Sequence, residues 1–451
     1  PRFEVPAFDF GLWMIDEKLN ETSALKSKTL RRLKRKVNVD LILIPNVRTI
    51  KGKMVLSYKL ISSKDGSLQK QAQVLSDDLP AAQARRETRR GTQTSFDAKN
   101  QPFKFIDKEQ FPYEIVDFDV GDLNGDGKNE YVLIDRYRVM VYKLKKGKLR
   151  KIGQLRKRKG IDRFLGVDVG DINGNGRDEI FVTNQVGDKL ESFALERQPG
   201  KKGFKHVWKD VNLYFRIIRP FGAKPTLLSQ STGFEAPFHG PIKKVIYKRR
   251  RYILGFKLNT PDIYGKFFNL YGLTQTDLSG NKIKDTIILD DKYHLRVYSP
   301  KGKVIVKSEE YYGHDPRFID VGVIEEFGGL AYGSNNITRA KAVRYKSRLQ
   351  FVKNGSRRFL VLPKNYVAGN GMLDQMVIVE NSGLAILGVN REGFERIFES
   401  VKQKGYLGAF RVVPRKGNAG ADVYILRIDK DYVSETSPMT STFSTYFWEA
   451  E

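Results

Sequence analysis

Two stretches of the chain place oxygen-bearing side chains where a hard cation would need them. One is Asp122-Leu-Asn-Gly-Asp-Gly-Lys-Asn-Glu130. The other is Asp171-Ile-Asn-Gly-Asn-Gly-Arg-Asp-Glu179, 49 residues further on. Each sets oxygens at first, third and fifth positions, Gly at sixth and an acid at ninth. Calcium takes six to eight oxygens at short range, and alternating side chains on a tight loop can deliver them. The sixth-position Gly supplies the positive φ that wraps the chain round an ion. With no ion, the same residues make a turn held by Asx side-chain bonds.

The flanks exclude a helix–loop–helix site, which needs its bidentate Glu at twelfth and amphipathic helices on both sides. Here Val116, Phe118 and Val120 alternate with Asp117 and Asp119 before the first loop, and Tyr131-Val-Leu-Ile134 follows it. That is strand, loop, strand. The second copy has Leu165, Val167 and Val169 before it and Ile180-Phe-Val-Thr183 after it.

Weaker copies extend the pattern. Asp277-Leu-Ser-Gly-Asn-Lys-Ile-Lys-Asp285 keeps Asp277 and Asp285, but Ser279 and Asn281 replace acids and Lys282 replaces Gly. Phe318-Ile-Asp-Val-Gly-Val323, Gly369-Asn-Gly-Met-Leu-Asp374 and Gly417-Asn-Ala-Gly-Ala-Asp422 keep less. The loop starts fall at 122, 171, 277, 323, 366 and 414, and the wide gap predicts a divergent unit near 224. Seven units of this length predict a seven-bladed β-propeller of four-stranded blades.

Val120-Gly-Asp-Leu-Asn-Gly-Asp-Gly-Lys-Asn-Glu-Tyr-Val132 and Phe164-Leu-Gly-Val-Asp-Val-Gly-Asp-Ile-Asn-Gly-Asn-Gly176 resemble the FG-GAP/VCBS repeat of calcium-dependent propellers such as the integrin α-subunit head. The resemblance implies calcium ligands at Asp122, Asn124, Asp126, the Lys128 carbonyl and Glu130, and at Asp171, Asn173, Asn175, the Arg177 carbonyl and Glu179. Asp277, Ser279, Asn281 and Asp285 are a weaker candidate set. The first loop has three carboxylates among its implied ligands and the second two, so the first is expected to bind tighter.

An open propeller would leave an unpaired edge, which proteins avoid. The aromatic tail Thr442-Phe-Ser-Thr-Tyr-Phe-Trp448 is therefore expected to be the third strand of the last blade, with a strand from the 96–106 region as its fourth.

Residues 1–92 read as a small N-terminal α/β domain ahead of a propeller over 93–451. A basic amphipathic helix is expected over Thr22 to Lys36, strands at Asp40-Leu-Ile-Leu-Ile-Pro45 and Lys53 to Ile61, and a helix from Asp78 to about Gly91. The strand segments are similar to the amino-terminal TolB and curli-secretion-type (CsgG-like) envelope domains. The chain opens mid-element at Pro1-Arg-Phe-Glu-Val, so the mature protein is expected to start upstream.

The protein has 451 residues, no Cys and a net charge of +28. Disulfides and thiol chemistry are excluded. No apolar run has the length of a membrane span. Millimolar calcium lies outside the cytosol, so a periplasmic, outer-membrane-associated or extracellular location is expected. The four His show no metalloprotease spacing, and there is no Gly-x-Ser-x-Gly elbow or Walker loop. No catalytic residue is assigned.

In a four-stranded blade the first and third turns emerge on one face. Lys145, Lys146, Lys148, Lys201, Lys202, Lys248, Arg249, Arg250 and Arg251 fall in predicted third turns, on the side of the calcium loops. They are the candidate polyanion-binding residues, for anionic lipid or polysaccharide; the bland reading is a solvated surface. Nucleic acid is the weakest partner, since no recognition helix, zinc spacing or aromatic RNA-binding strand is present. The opposite face draws on Phe234, Phe238, His239, Tyr293, His294, Tyr311, Tyr312 and His314, with Asp291, Glu309 and Glu310. The expected function is a non-catalytic, calcium-stabilised binding or scaffold protein of the cell envelope or exterior, with a protein partner. The alternative is a carbohydrate-active lyase or hydrolase acting on acidic polysaccharide from that opposite face.

Overall fold

The computed structural model describes residues 35, 40–50, 53–64, 67–75, 102–145, 147–198, 203–219, 224–233, 237–258, 270–290, 292–326, 337–354, 357–367, 379–415, 420–429 and 439–449. The chain divides into two compact units, 1–95 and 96–451. In the first, β1 (Leu41–Ile50), β2 (Lys53–Ser62) and β3 (Leu68–Leu75) form an antiparallel sheet in that order. The expected 78–91 helix lies outside the described residues, as does all of the 22–36 helix except Arg35. What is described of this unit is therefore a three-stranded sheet.

The second unit is a β-propeller. Its first blade is β5 (Asp117–Gly121), β6 (Glu130–Ile134), β7 (Arg138–Lys145) and β8 (Lys148–Arg156). The second is β9 (Asp162–Gly170), β10 (Glu179–Val186), β12 (Ser192–Arg197) and β13 (Phe204–Val211), with a two-residue strand β11 (Lys189–Leu190) on β10. The third is β14 (Leu213–Ile218), β15 (Thr226–Ser231), β16 (His239–Lys248) and β17 (Arg251–Lys257), where the divergent unit was expected. The fourth is β18 (Leu273–Thr276), β19 (Asp285–Leu289), β20 (His294–Tyr298) and β21 (Val304–Tyr311).

The count then departs from seven. Phe318–Glu326 (β22) and Ile337–Arg344 (β23) form only a two-stranded hairpin. The fifth four-stranded sheet is β24 (Gln350–Asn354), β25 (Arg357–Val367), β26 (Val379–Val389) and β27 (Phe394–Glu399), with β28 (Gln403–Lys404) on β26. The sixth is β29 (Tyr406–Pro414), β30 (Ala421–Asp429), β31 (Thr440–Trp448) and β4 (Phe103–Phe111). Around the ring β5 neighbours β9 and β9 neighbours β14; β14 meets the short turn Leu270–Gly272 that leads into β18; β18 neighbours β24, β24 neighbours β29, and β29 returns to β5. Because β18 lies against β24, the hairpin takes no place in the ring, and the propeller has six blades.

Packing gives the same count. Six apolar layers each lie between adjacent blades. Val132, Ile134, Ile180 and Val182 join the first to the second. Phe181, Phe215 and Leu227 join the second to the third. Tyr214, Leu228, Leu273 and Ile288 follow, then Ile287, Leu289, Leu360 and Leu387. Val361, Ile386, Phe410 and Ile425 join the fifth to the sixth, and Phe118, Leu133, Leu426 and Phe443 close the circle. Sheets stack about 10 Å apart, so inner strands such as β5 and β6 bury both faces, while the outermost strands such as β8 and β17 stay largely exposed.

Closure follows the expected strap, a few residues later in the chain. The strand β4 pairs antiparallel with β31 from Ser441–Phe111 to Trp448–Phe103. Trp448 is buried and packs edge-on against Phe103, ring centres 5.8 Å apart. The first strand of the propeller thus covers the edge of its last blade.

Candidate functional site

Both loops are strand connections wound by their own carboxylates. In the first, Asp122 Oδ1 accepts from the Gly125 N–H at 2.7 Å and the Asp126 N–H at 3.2 Å, while Oδ2 accepts from Gly127 at 2.6 Å. Asn124 Oδ1 accepts from Asp126 and Asp126 Oδ1 from Lys128, both at 2.9 Å. Gly127 holds φ at 78°, as the sixth position requires. Glu130 is fully buried at the start of β6, where it accepts from the Leu123 N–H at 3.0 Å and Asn124 Nδ2 at 2.7 Å.

The second loop repeats this atom for atom. Asp171 accepts from Gly174 at 2.6 Å, Asn175 at 3.1 Å and Gly176 at 2.9 Å. Asn173 Oδ1 accepts from Asn175 and Asn175 Oδ1 from Arg177, each at 2.9 Å. Glu179 is fully buried and accepts from Ile172 at 2.9 Å.

The loops differ in what β7 and β12 bring to them. Lys143 lies directly across from Glu130 in the β6–β7 register. Its Nζ is 2.8 Å from Asp126 Oδ2 and 3.5 Å from Glu130 Oε1. Burial raises the Glu130 carboxyl above its ordinary range, against the pull of the Leu123 N–H and the Lys143 ammonium. In the second blade Ile180 faces Leu195, which sets Glu196 across from Glu179. Glu196 bonds the side chains of Asn173 and Asn175, and Arg177 Nη2 reaches it at 3.3 Å. Burial, with Asp171 and Glu196 nearby, pushes Glu179 up to about 8. Two acids facing each other across one pair of strands repel. The second donor set therefore crowds acids that a cation would relieve, and its oxygens are of the kind that calcium takes. The first already holds an ammonium against two of its implied ligands.

The third loop fits a metal poorly. Asp277 accepts from the N–H groups of Gly280 and Lys282, each at 2.7 Å, as Asp122 and Asp171 do in their own loops, so this turn does not set the third loop apart. Lys282 itself takes φ of 66° where the other loops have Gly. Asp285 is buried and faces Arg391 Nη2 at 3.3 Å, and Asn281 accepts from Ile283 at 2.8 Å. The Ser279 N–H donates to Asp277 Oδ1 at 3.1 Å. Among the described residues, no three His, Asp or Glu side chains converge into a ready metal cage.

The first two loops also clasp each other. The Asp122 N–H donates to Asp178 Oδ2 at 2.8 Å, and the Asp178 N–H donates to the Asp122 carbonyl at 2.9 Å.

Composition and motif reading missed the residues at the ring's centre. Asp117 Oδ2 accepts from the Val167 N–H at 3.1 Å, and Asp119 Oδ2 from Val169 at 2.8 Å. The inner edge of β9, unpaired by any strand, is thus satisfied by side chains of β5. Arg348 Nη1 meets Asp168 at 2.8 Å, and Arg411 pairs with Asp119 and reaches Asp168 at 3.3 Å. Arg216 stands 3.6 Å from Asp168. These residues come from strands of four blades and, for Arg348, from the segment that leads into the fifth, and all are buried, so they can meet only on the axis. The alternation of acid and apolar residues along β5 was the one signal for it in the sequence.

Two of the basic third turns lie among the described residues. Lys145 and Lys148 flank the β7–β8 turn, and Lys248 to Arg251 make the β16–β17 turn, with Arg249 and Arg250 at positive φ. The Lys143–Asp126 contact puts this end of the blade on the loop side. Lys146, Lys201 and Lys202 lie outside the described residues. Beside that turn, Ile246, Tyr247, Leu254 and Phe256 are exposed, Phe256 at 87%.

On the opposite face His294 packs on Tyr311 at 4.3 Å and Tyr293 on His314 at 4.2 Å. Tyr311 is half exposed, whereas Phe238 and Tyr312 are core residues.

Residues 122–182 match the family model described as an FG-GAP-like repeat. No curated protein matches the chain. Among solved structures, a crystal structure of BBS1N in complex with ARL6DN, soaked with lead, has a TM-score of 0.38 at 8% identity, covering 77% of this chain and 97% of that one. A crystal structure of the mitotic checkpoint complex has a TM-score of 0.35 at 9% identity, covering 80% and 98%.

Proposed function

We propose that this six-bladed propeller is a non-catalytic binding or scaffold module that calcium stabilises and that engages an acidic protein partner at the cell envelope or exterior. The observation that carries the binding role is the outer half of the third blade. Four large apolar side chains, Ile246, Tyr247, Leu254 and Phe256, stand exposed beside the run Lys248 to Arg251. Exposed apolar side chains beside a run of one sign of charge suit a partner that brings apolar contacts and carboxylates. The FG-GAP-like repeat at 122–182 supports a binding role over an enzymatic one. So does the axis, where buried Asp–Arg pairs occupy the place in which a propeller would otherwise hold a substrate. Among the described residues no helix is long and apolar enough to cross a membrane.

Calcium would be held by Asp171, Asn173, Asn175, the Arg177 carbonyl and Glu179, and would tie β9 to β10. The location rests on calcium availability. Capture from envelope extracts, with Lys248 to Arg251 reversed to Glu and separately with Phe256→Asp, tests the binding surface. Loss of the same captured protein in both variants is expected; capture unchanged by either would sink it. Vesicles of anionic lipid and acidic polysaccharide serve as the parallel arm, since a salt-sensitive response to them alone would make the partner a polyanion.

The second reading, a carbohydrate-active enzyme, rests on the Tyr311–His294 and Tyr293–His314 pairs. Turnover of an acidic polysaccharide that His294→Ala abolishes would favour it.

A further inference from the structure

The two best-matched loops carry nearly the same residues, yet β7 and β12 give them opposite charge. Lys143 sits across from the ninth-position Glu130, and Glu196 sits across from the ninth-position Glu179. We infer that the 122–130 loop is self-neutralised, with the Lys143 ammonium standing where a divalent ion would sit, and that the chain has at most one calcium site in its first two blades, at 171–179. This rests on the proposed calcium site in part only, since the exclusion at the first loop stands whether or not the second loop binds.

The argument is one of geometry and charge. Lys143 Nζ touches Asp126 Oδ2 at 2.8 Å and lies 3.5 Å from Glu130 Oε1, two of the five implied ligands. An ammonium and a calcium ion cannot share those oxygens, because two cations at contact distance repel. The ammonium is tethered by its own strand at high local concentration, so a divalent ion must both displace it and shed its own water. Backbone N–H groups of Gly125, Asp126 and Gly127 wind the loop round Asp122, which holds its shape without an ion. Carboxylate count alone ranks the first loop as the tighter site; the cross-strand partner reverses that order. The second loop has no lysine in this role. Its extra side chain is an acid, and Arg177 contacts that acid from the loop itself.

The test is calcium stoichiometry of the full chain, titrated calorimetrically with calcium chloride after chelator treatment. The wild type is expected to bind one ion at these loops, lost in Asp171→Ala and kept in Asp126→Ala. Lys143→Met is expected to raise the count to two, with the new ion lost in the Lys143→Met, Asp126→Ala double variant. Lys143→Gln, of similar reach and uncharged, should behave as Lys143→Met, and circular dichroism checks the fold of each. Two ions in the wild type, or one ion that depends on Asp126, would overturn the inference while leaving calcium binding intact. No gain in either Lys143 variant would overturn it too. No ion in the wild type but one in Lys143→Met would support it and remove the second loop as a calcium site.

Discussion

Asp122 and Asp178 exchange hydrogen bonds across the seam between the first two blades, the N–H of each donating to the other residue at 2.8 and 2.9 Å. The pair locks one loop's first residue to the other loop's eighth. Room for it is made by Gly121, where an added Cβ would meet Val169 at 2.6 Å and run into the Asp178 carboxylate.

Gly121→Ala should therefore force the seam apart. Overpacking of this kind costs about 1–3 kcal/mol. Urea unfolding should show the midpoint falling with the slope unchanged, and an unshifted midpoint would show that the seam yields freely.

Calcium should act through the second blade. An ion bound only to the folded state at 100 times its Kd adds about 2.7 kcal/mol of stability. Chelation should lower Tm, and Asp171→Ala should remove most of that response. Asp126→Ala should leave the response nearly whole, because Lys143 already occupies Asp126.

The axial ion cluster should be costly to break on one side. Arg348→Met leaves Asp168 and Asp117 buried with less positive charge, and such losses run to about 3–5 kcal/mol. Thermal melts would measure it. A loss below about 1 kcal/mol would mean that water enters the axis and screens the acids.

His206 on β13 supplies a pH signature. Burial and the nearby Lys157 and Lys209 lower its pKa below the ordinary value, with only Asp210 pulling the other way. The unfolded chain then takes up a proton near pH 6.5 that the folded chain refuses. This contribution to stability is fully present above the unfolded value and is lost as pH falls through it. His206→Gln should flatten the stability curve between about pH 7 and 5, and the imidazole carbon-bound proton shifts should titrate late. A His206 midpoint above 6.5 would contradict the packing of its ring against Phe193 at 5.3 Å.

The loops, their strand flanks and the ring's closing strap were legible in the sequence because each is local or periodic. An Asx-wound turn is specified by nine consecutive residues, and a blade strand by a short apolar run. The closing strap followed from the need to cover an edge. The blade count was not legible. Between 277 and 414 the spacing allowed two units, but 318–344 formed a hairpin and 350–399 one blade. Two strands and four strands have the same local pattern; only the contact of β18 with β24 decided which joined the ring.

What the sequence by itself determined was a β-propeller with two oxygen-lined loops. Their charge was decided in three dimensions. Lys143 follows Glu130 by 13 residues, whereas Glu196 follows Glu179 by 17, because β11 lengthens the second connection. No fixed offset reveals that the two side chains hold the same place. The axial cluster was hidden for the same reason, since Asp119 and Arg411 are 292 residues apart and meet only when the ring closes. Strand pairing converts such distant positions into neighbours, and electrostatics acts on neighbours in space.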